Sequence, residues 1–339
     1  MCLYIGSNKS FVSDVDLVVY KYVIKNSKGN YETPFQNTSI KVNSLLVAES
    51  NDNEIVKENY KKYMIEGGAI HSCLSSKDMN FDGNICLKAI IPSGTEFWLQ
   101  DDMKQVASRQ LYITDEVITD EQHTDMTEIC KQIYNNAPCN KDGIKIGDVF
   151  LSNGKVVSPL SEFDRNEVIG YVGYFHPDTD APICIAKDNV NLPFVTDYNI
   201  MNSAHSSIAF DDIESDFDGF NHTNDISSAS DYDKGIFKAI EYCHTYKTEG
   251  TNEGEWYLPA IGEVIAISRN IAFINASINI VGVGDNLNLT EWMWSSSQYY
   301  GDGQCSWYCI LPSGFCSYTW DYRGCDYRVR PFRAFITQV

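Results

Sequence analysis

Four of the chain's eleven cysteines fall in one late run, "CSWYCILPSGFCSYTWDYRGC", as Cys305, Cys309, Cys316 and Cys325. Thiolates hold zinc, attack electrophiles or oxidise to disulfides, and each chemistry demands its own spacing or neighbours. Three residues separate Cys305 from Cys309, which suits half of a zinc site; eight separate Cys316 from Cys325, which does not. A cysteine nucleophile wants a histidine or another cation beside it. The tail has no histidine after His244, and its cations are Arg323, Arg328, Arg330 and Arg333. The odd cysteine total favours thiols over a disulfide framework. The expectation is no metal, no cofactor and no catalytic residue here.

The same run is filtered in another way. From Tyr299 to Tyr327 there is no Lys, Glu or Met, while Tyr, Gly, Ser and Cys crowd together. A buried strand core would alternate aliphatic residues, and only Ile310 and Leu311 supply them. Tyrosine offers a large contact area with little rotamer entropy to lose, and Ser and Gly let a surface adapt. A binding surface accounts for this composition best, with Trp294, Trp307 and Trp320 as fixed anchors within it.

Elsewhere the chemistry-bearing candidates are sparse. His71 and Ser75 are the polar candidates of the first part, with His71 read as structural. His123 sits among acids, without a Cys or His at metal spacing, and reads as solvent-facing. The acid-rich "FDDIESDFDGF" (Phe210 to Phe220) lacks the glycine and glutamate positions of an EF-hand loop. A net charge of −20 opposes binding to nucleic acid. No run of eighteen apolar residues predicts a membrane span. The start "MCLYIGSNKS" has no basic region followed by an apolar one, so synthesis in the cytoplasm without a signal peptide is expected.

The elements that must position these residues read as α+β. Residues 1–118 form a first α+β domain, with strands in "DLVVYKYVI" and around the "PSG" of "ICLKAIIPSGTEFWL", a helix over Asn53 to Gly68, and a closing strand "RQLYITDEV". Residues 119–140 read as a polar linker with a short helix whose apolar face is Met126, Ile129, Cys130 and Ile133. Residues 141–339 form a second domain. It opens on a hairpin at "SNG" (Ser152 to Gly154) and continues with strands in "EVIGYVGYF" and "APICIAKD". Two helices follow. One runs over Ser230 to Tyr246, with Ser230 as N-cap, Asp233 in its first turn, and Ile236, Phe237, Ile240 and Cys243 on one face. The other runs over Leu258 to Asn275, with Pro259 in its first turn.

The ordered set "KTEGTNEGEWYLPAIGE", "WSSSQYY", "SWY", "PSG" and "RVRPFRAF", behind "SDYDKGIFKAIEYC", resembles the variable proteins of diversity-generating retroelements in gut Bacteroidales and their phages. The resemblance covers about residues 140 to 339. It implies a C-type lectin-like fold, related to the formylglycine-generating enzyme, with two helices packed on short antiparallel strands. It also implies a variable region at about 294–335, in which adenine-directed mutagenesis rewrites codons of the type AAC. Such codons yield Tyr, Cys, Gly, Asp, Ser, Phe, Ile, Arg or Thr, but never Lys, Glu, Gln, Met or Trp.

The positions that fit this filter are Tyr300, Gly301, Asp302, Gly303, Cys305, Ser306, Tyr308, Ile310, Phe315, Cys316, Tyr318, Thr319, Asp321, Tyr322, Gly324, Cys325, Asp326 and Tyr327. They are expected to be solvent-exposed and to contact the ligand, while Cys309 and Arg323 stay ambiguous. Trp256, Trp294, Trp307, Gly314, Trp320, Arg330 and Pro331 are expected as scaffold. The resemblance implies a non-enzymatic adhesin or receptor-recognition protein, tail-associated on a virion or otherwise surface-presented, whose partner is a protein or glycan on a bacterial surface. The first domain, whose start and "IIPSGTEFW" resemble a Bacteroidales phage domain, would attach it. Calcium-binding lectins of related fold carry Glu-Pro-Asn or Gln-Pro-Asp and Trp-Asn-Asp, neither of which occurs, so no obligatory calcium is expected. The alternative is an enzyme of the formylglycine-generating type, or one with an ADP-ribosyltransferase-like first domain.

Overall fold

The computed structural model describes residues 3–5, 10–34, 39–48, 54–57, 63–66, 69–77, 84–100, 103–196, 207–228, 235–288, 292–299, 306–310, 315–319 and 325–334. The fold is α+β, and strands dominate it. Two compact units divide the chain, Met1–Ile129 and Cys130–Val339. The division falls in the stretch read as a linker, inside helix α1 (Thr127–Asn135). On α1, Ile129, Cys130 and Ile133 are buried as their spacing predicts, whereas Met126 precedes the helix and is half-buried.

The first unit is built from β1 (Leu3–Ile5), β2 (Phe11–Val12), β3 (Leu17–Lys25), β4 (Tyr31–Glu32), β5 (Ser39–Ile40), β6 (Ser44–Val47) and β7 (Glu54–Lys57). It continues with β8 (Tyr63–Glu66), β9 (Ile70–Cys73), β10 (Ile85–Ile91), β11 (Glu96–Leu99), β12 (Gln105–Ser108) and β13 (Gln110–Val117). A ten-stranded antiparallel sheet has the order β2-β11-β12-β9-β3-β10-β13-β6, with β4 on β3 and β5 on β4. β3 and β10 stay in register from Ile85↔Val23 to Ile91↔Leu17. Val19, Val23, Leu87, Ala89, Ile91, Leu111 and Ile113 are fully buried. The "PSG" turn closes as read: the Thr95 amide donates to Pro92 O at 3.1 Å, and Gly94 takes the left-handed φ of +76° that a side chain would strain.

Among the described residues of Asn53 to Gly68 the expected helix does not form. The stretch supplies β7 and β8, paired antiparallel, with β1 beyond β8 in a separate three-stranded sheet. Ile55, Val56, Tyr63 and Ile65 suit a pleated surface, and pairing decided between two local patterns that both fit.

The second unit runs β14 (Val149–Leu151), β15 (Val156–Val157), β16 (Val168–Phe175), β17 (Pro182–Ala186), β18 (Val190–Leu192) and β19 (Ser207–Ile208). Next come α2 (Gly219–Ser228), α3 (Lys238–Thr245), α4 (Ile261–Ser268) and α5 (Ile271–Val281). The chain then forms β20 (Trp292–Tyr299), β21 (Ser306–Ile310), β22 (Phe315–Thr319), β23 (Tyr327–Val329) and β24 (Phe332–Ala334). The "SNG" hairpin forms between β14 and β15, which pair Val149 with Val157. The α3 helix starts later than read, at Lys238 with Phe237 as its N-cap, so Ile236 lies before it; Ser230 and Asp233 fall outside the described residues. The second expected helix is two helices, bent by 70° between Ser268 and Ile271. Asn270 sits at that bend and donates from Nδ2 to Gly173 O at 3.0 Å. No single helix among the described residues is long and apolar enough to cross a membrane.

Two sheets carry this unit. The five-stranded sheet has the order β15-β14-β16-β17-β24 and the six-stranded sheet β18-β23-β20-β21-β22, with β19 on β20. One core cluster joins the five-stranded sheet, α4 and α5 to Met293, Trp307 and Cys309 of the six-stranded sheet. A second joins Phe194, Ile226, Phe237, Ile240 and Cys243 to Trp294, Tyr308 and Val329. The six-stranded sheet is therefore covered on both faces along β20 and β21, which governs where the tail's side chains go.

Candidate functional site

The framework of the tail is fixed first by its tryptophans. Trp256, Trp294 and Trp307 have no exposed surface, and each indole N–H finds an acceptor: Thr251 Oγ1 at 3.1 Å, Leu192 O at 3.1 Å and Ile208 O at 3.2 Å respectively. A buried indole needs such a partner. The closing segment then crosses from one sheet to the other. β23 pairs with β18 in the six-stranded sheet, and β24 pairs with β17 in the five-stranded sheet. Between them Arg330 is 1% exposed and donates from Nη2 to Asp285 O at 2.6 Å. Pro331, also buried, has no amide to leave unmatched at the crossing, and its carbonyl accepts from Ala186 N at 2.9 Å. Trp256, Trp294, Trp307, Arg330 and Pro331 are all buried; Gly314 and Trp320 lie outside the described residues.

Beneath the tail is a polar network that the sequence reading missed. It explains "LPAIGE" and "WSSSQ" together. The ladder between β20 and β21 loses register between Trp294 and Gln298. Three buried serines occupy that gap. Ser295 Oγ donates to Trp307 O at 2.8 Å, Ser296 Oγ lies 3.4 Å from His222 Nδ1, and Ser297 Oγ donates to Asp216 Oδ2. The start of α4 is matched to the same groups. A helix leaves its first amides without helical acceptors. Here Ala260 N donates to Glu263 Oε2 at 2.7 Å, Ile261 N to Ser297 Oγ at 2.9 Å and Gly262 N to Asp216 O at 3.0 Å. Glu263, 1% exposed, also accepts from Tyr257 OH at 2.8 Å and from Tyr174 OH. Burial pushes its carboxyl up to about 8, against the pull of these donors. Gly219 fits because a Cβ there would stand 2.3 Å from Glu263 Oε2.

Ser296, His222 and Asp216 have the residue types of a nucleophilic triad, but their geometry is that of packing. His222 Nε2 is 3.8 Å from Asp216 Oδ1, Asp216 is also held by Ser297, and Ser296 is fully buried. A nucleophile must face space for its substrate. The acidic stretch Phe210 to Phe220 thus contributes Asp216 as a structural anchor. Among the described residues no group of three or more His, Cys, Asp or Glu side chains could hold a metal ion.

The positions expected to vary lie between these anchors, on β21, β22 and their connections. Ser306 and Tyr308 correct the exposure expected of them: they are 0% and 8% exposed. The reason is that β21 runs between β20 and β22 with a core cluster on each face. Tyr308 stacks on Trp292 at 5.1 Å and 7°, and meets Tyr327 at 5.3 Å and Trp294 edge-on at 6.0 Å. Replacing Tyr308 by Ser is expected to lower the stability of the second unit by about 3 kcal/mol in urea unfolding. Cys325 and Tyr327 are half-buried, and Asp326 is exposed. Ile310, Phe315, Cys316, Tyr318 and Thr319 are described as strand positions only. Tyr300, Gly301, Asp302, Gly303, Cys305, Asp321, Tyr322 and Gly324 lie outside the described residues.

Trp292, not singled out from sequence, completes this surface. It is 38% exposed while Tyr308 covers one ring face and Tyr327 meets its edge at 4.9 Å. The three rings form an aromatic cluster whose most exposed member is Trp292. Its only sequence signal is alternation with the buried Trp294 two residues on.

In the first unit the polar candidates assemble no relay. Burial, with Lys21 nearby, lowers His71 to about 4, and its Nδ1 has no hydrogen-bond partner among the described residues. Its carbonyl takes Lys21 Nζ at 2.6 Å. Ser75 is buried, pairs with His123 in a single bridge, and accepts from Lys77 N at 3.2 Å. The His123 side chain is exposed beside Glu121. Burial pushes Cys86 up to about 11 and raises Cys184 and Cys243, so these thiols are not poised as thiolates. Comparison with protein families, with curated proteins and with solved structures finds no match to this chain.

Proposed function

We propose that the protein is a non-enzymatic ligand-binding protein, an adhesin or receptor-recognition protein of the retroelement-diversified kind. On this reading the second unit is a C-type lectin-like domain that presents its variable stretch to a protein or glycan on a bacterial surface. The first unit attaches it to a virion tail or another assembly. The observation that carries the reading is the partition of the tail. Its filtered composition runs over the β21–β22 pair at the edge of the six-stranded sheet, the connections around it and Tyr327 at the start of β23, while Trp294 before it, Trp307 within it and Arg330 and Pro331 after it are buried. The return of β24 to the sheet opened by β14 and β15 is consistent with the same fold.

Burial refines the proposal residue by residue. Tyr308 belongs with the support of the surface, and Trp292, Asp326 and Tyr327 form its described, solvent-reaching part. Two measurements test this. Deep sequencing of the gene's 3′ end in its host population is expected to show substitutions concentrated at adenines between codons 294 and 335, with those for Trp294 and Trp307 unchanged. Trp292→Ala is expected to weaken adhesion to the target cell at least about tenfold while circular dichroism shows the protein still folded at the assay temperature, the lost packing on Tyr308 and Tyr327 lowering its unfolding midpoint. A uniform substitution pattern along the gene would overturn the proposal.

A further inference from the structure

The register of the edge hairpin sets two cysteines opposite one another. β21 and β22 pair antiparallel, with Trp307↔Tyr318, Tyr308↔Ser317 and Cys309↔Cys316 as direct partners. Directly opposed residues of an antiparallel pair share a face, with Cα atoms about 4.5–5.5 Å apart. A disulfide accepts Cα separations of about 4.4–6.8 Å, so either kind of opposed pair is within reach. Cys184 and Cys243 are buried on other elements of the unit, and only Cys309 and Cys316 are direct ladder partners among the described strands.

We propose that Cys309 and Cys316 form a cross-strand disulfide when the protein meets an oxidising medium. The oxidant is a low-molecular-weight disulfide of the glutathione class. A thiolate of the pair attacks it, forming a mixed disulfide and releasing one thiol. The second cysteine, losing its proton, attacks its partner's sulfur and expels the other thiol. The cysteines lose two protons and two electrons, the electrons reduce the oxidant to two thiols, and one intramolecular S–S bond forms. Among the described strands β22 ends the sheet and pairs with β21 alone. The bond pins its register, where a slip by one residue would exchange the faces of every side chain. This consequence rests on the ligand-binding reading: a hairpin pinned in register loses less freedom when a ligand docks on it. It also gives the ambiguous Cys309 a role, as a constant thiol that meets any variant carrying cysteine at position 316.

The test uses the full chain, incubated with oxidised glutathione or with dithiothreitol, alkylated without reduction and digested with trypsin. No Lys or Arg lies between Cys305 and Cys316, so three cysteines share one peptide. After oxidation that peptide is expected to lose two hydrogens, with Cys309 and Cys316 protected and Cys305 alkylated. Hydrogen exchange across Phe315–Thr319 is expected to slow at least about threefold on oxidation and to be unaffected by oxidation in Cys316→Ser, which leaves the buried Cys309 in place. Full alkylation of Cys309 and Cys316 after oxidation, or pairing of Cys309 with Cys305, overturns the proposal. A disulfide that forms in a protein with no ligand would leave this inference standing and remove the reading it deepens.

Discussion

Glu263→Ala is expected to lower the unfolding free energy of the second unit by about 3–5 kcal/mol. The substitution strands three donors at once: the Ala260 amide, Tyr257 OH and Tyr174 OH, the last two on residues only 2% exposed. Each buried donor without an acceptor costs about 1–3 kcal/mol, and the lost side chain leaves a void against Gly219. Five of the six tryptophans lie in the second unit, so intrinsic fluorescence in a urea titration reports its unfolding. A change below about 1 kcal/mol would mean that the network supports little.

The same residue sets a pH dependence whose sign follows from its environment. The folded carboxyl is pushed up to about 8, above its ordinary 4.5. Between those values the native state binds more protons than the unfolded chain. The contribution of Glu263 is therefore complete below about pH 4.5 and is lost as pH rises through about 8, by roughly 3–5 kcal/mol in all. Unfolding midpoints measured from pH 5 to pH 9 are expected to fall, and Glu263→Gln, which cannot ionise, is expected to flatten that fall. Its amide N–H faces the Ala260 amide, so Gln should cost stability at pH 5, though less than Ala.

Trp307→Ala is the second large effect, at about 3–5 kcal/mol. Trp307 is fully buried in the core between the two sheets, and its indole bonds Ile208 O. Its carbonyl accepts from Ser295, so a collapse there also disturbs the serine run of β20. Asp326→Asn supplies the contrast: the residue is exposed, and the change should stay within about 0.5 kcal/mol. Equal costs at the two positions, read by circular dichroism melts and urea titration, would remove the division between anchors and variable surface on which the proposed function stands.

Much of the second unit was legible in the chain. Asn-Gly between two apolar runs located the β14–β15 hairpin, and the apolar spacing of Ile129, Cys130 and Ile133 located the buried face of α1. The tryptophans inside a Tyr- and Gly-rich run read as anchors, and the two described ones, Trp294 and Trp307, are buried. Local pattern failed where two periods fitted one segment. Asn53 to Gly68 satisfies a helix as written and a hairpin as paired. The long apolar run after Pro259 gave no sign of the 70° bend between α4 and α5. A segment apolar on all sides carries no phase from which a boundary is read.

The sequence by itself determined the α+β character, the short strand and turn units of the second part, and the compositional identity of the tail between Tyr299 and Tyr327, because these are properties of neighbours along the chain. Tertiary structure decided which tail positions reach solvent. Ser306 and Tyr308 carry the same composition signal as Asp326, yet a core on each side of β21 buries them. It also brought Tyr174, Asp216, His222, Glu263 and Ser297 into one network and set Cys309 against Cys316. Burial and register depend on what packs across a strand, and that partner is distant in the chain.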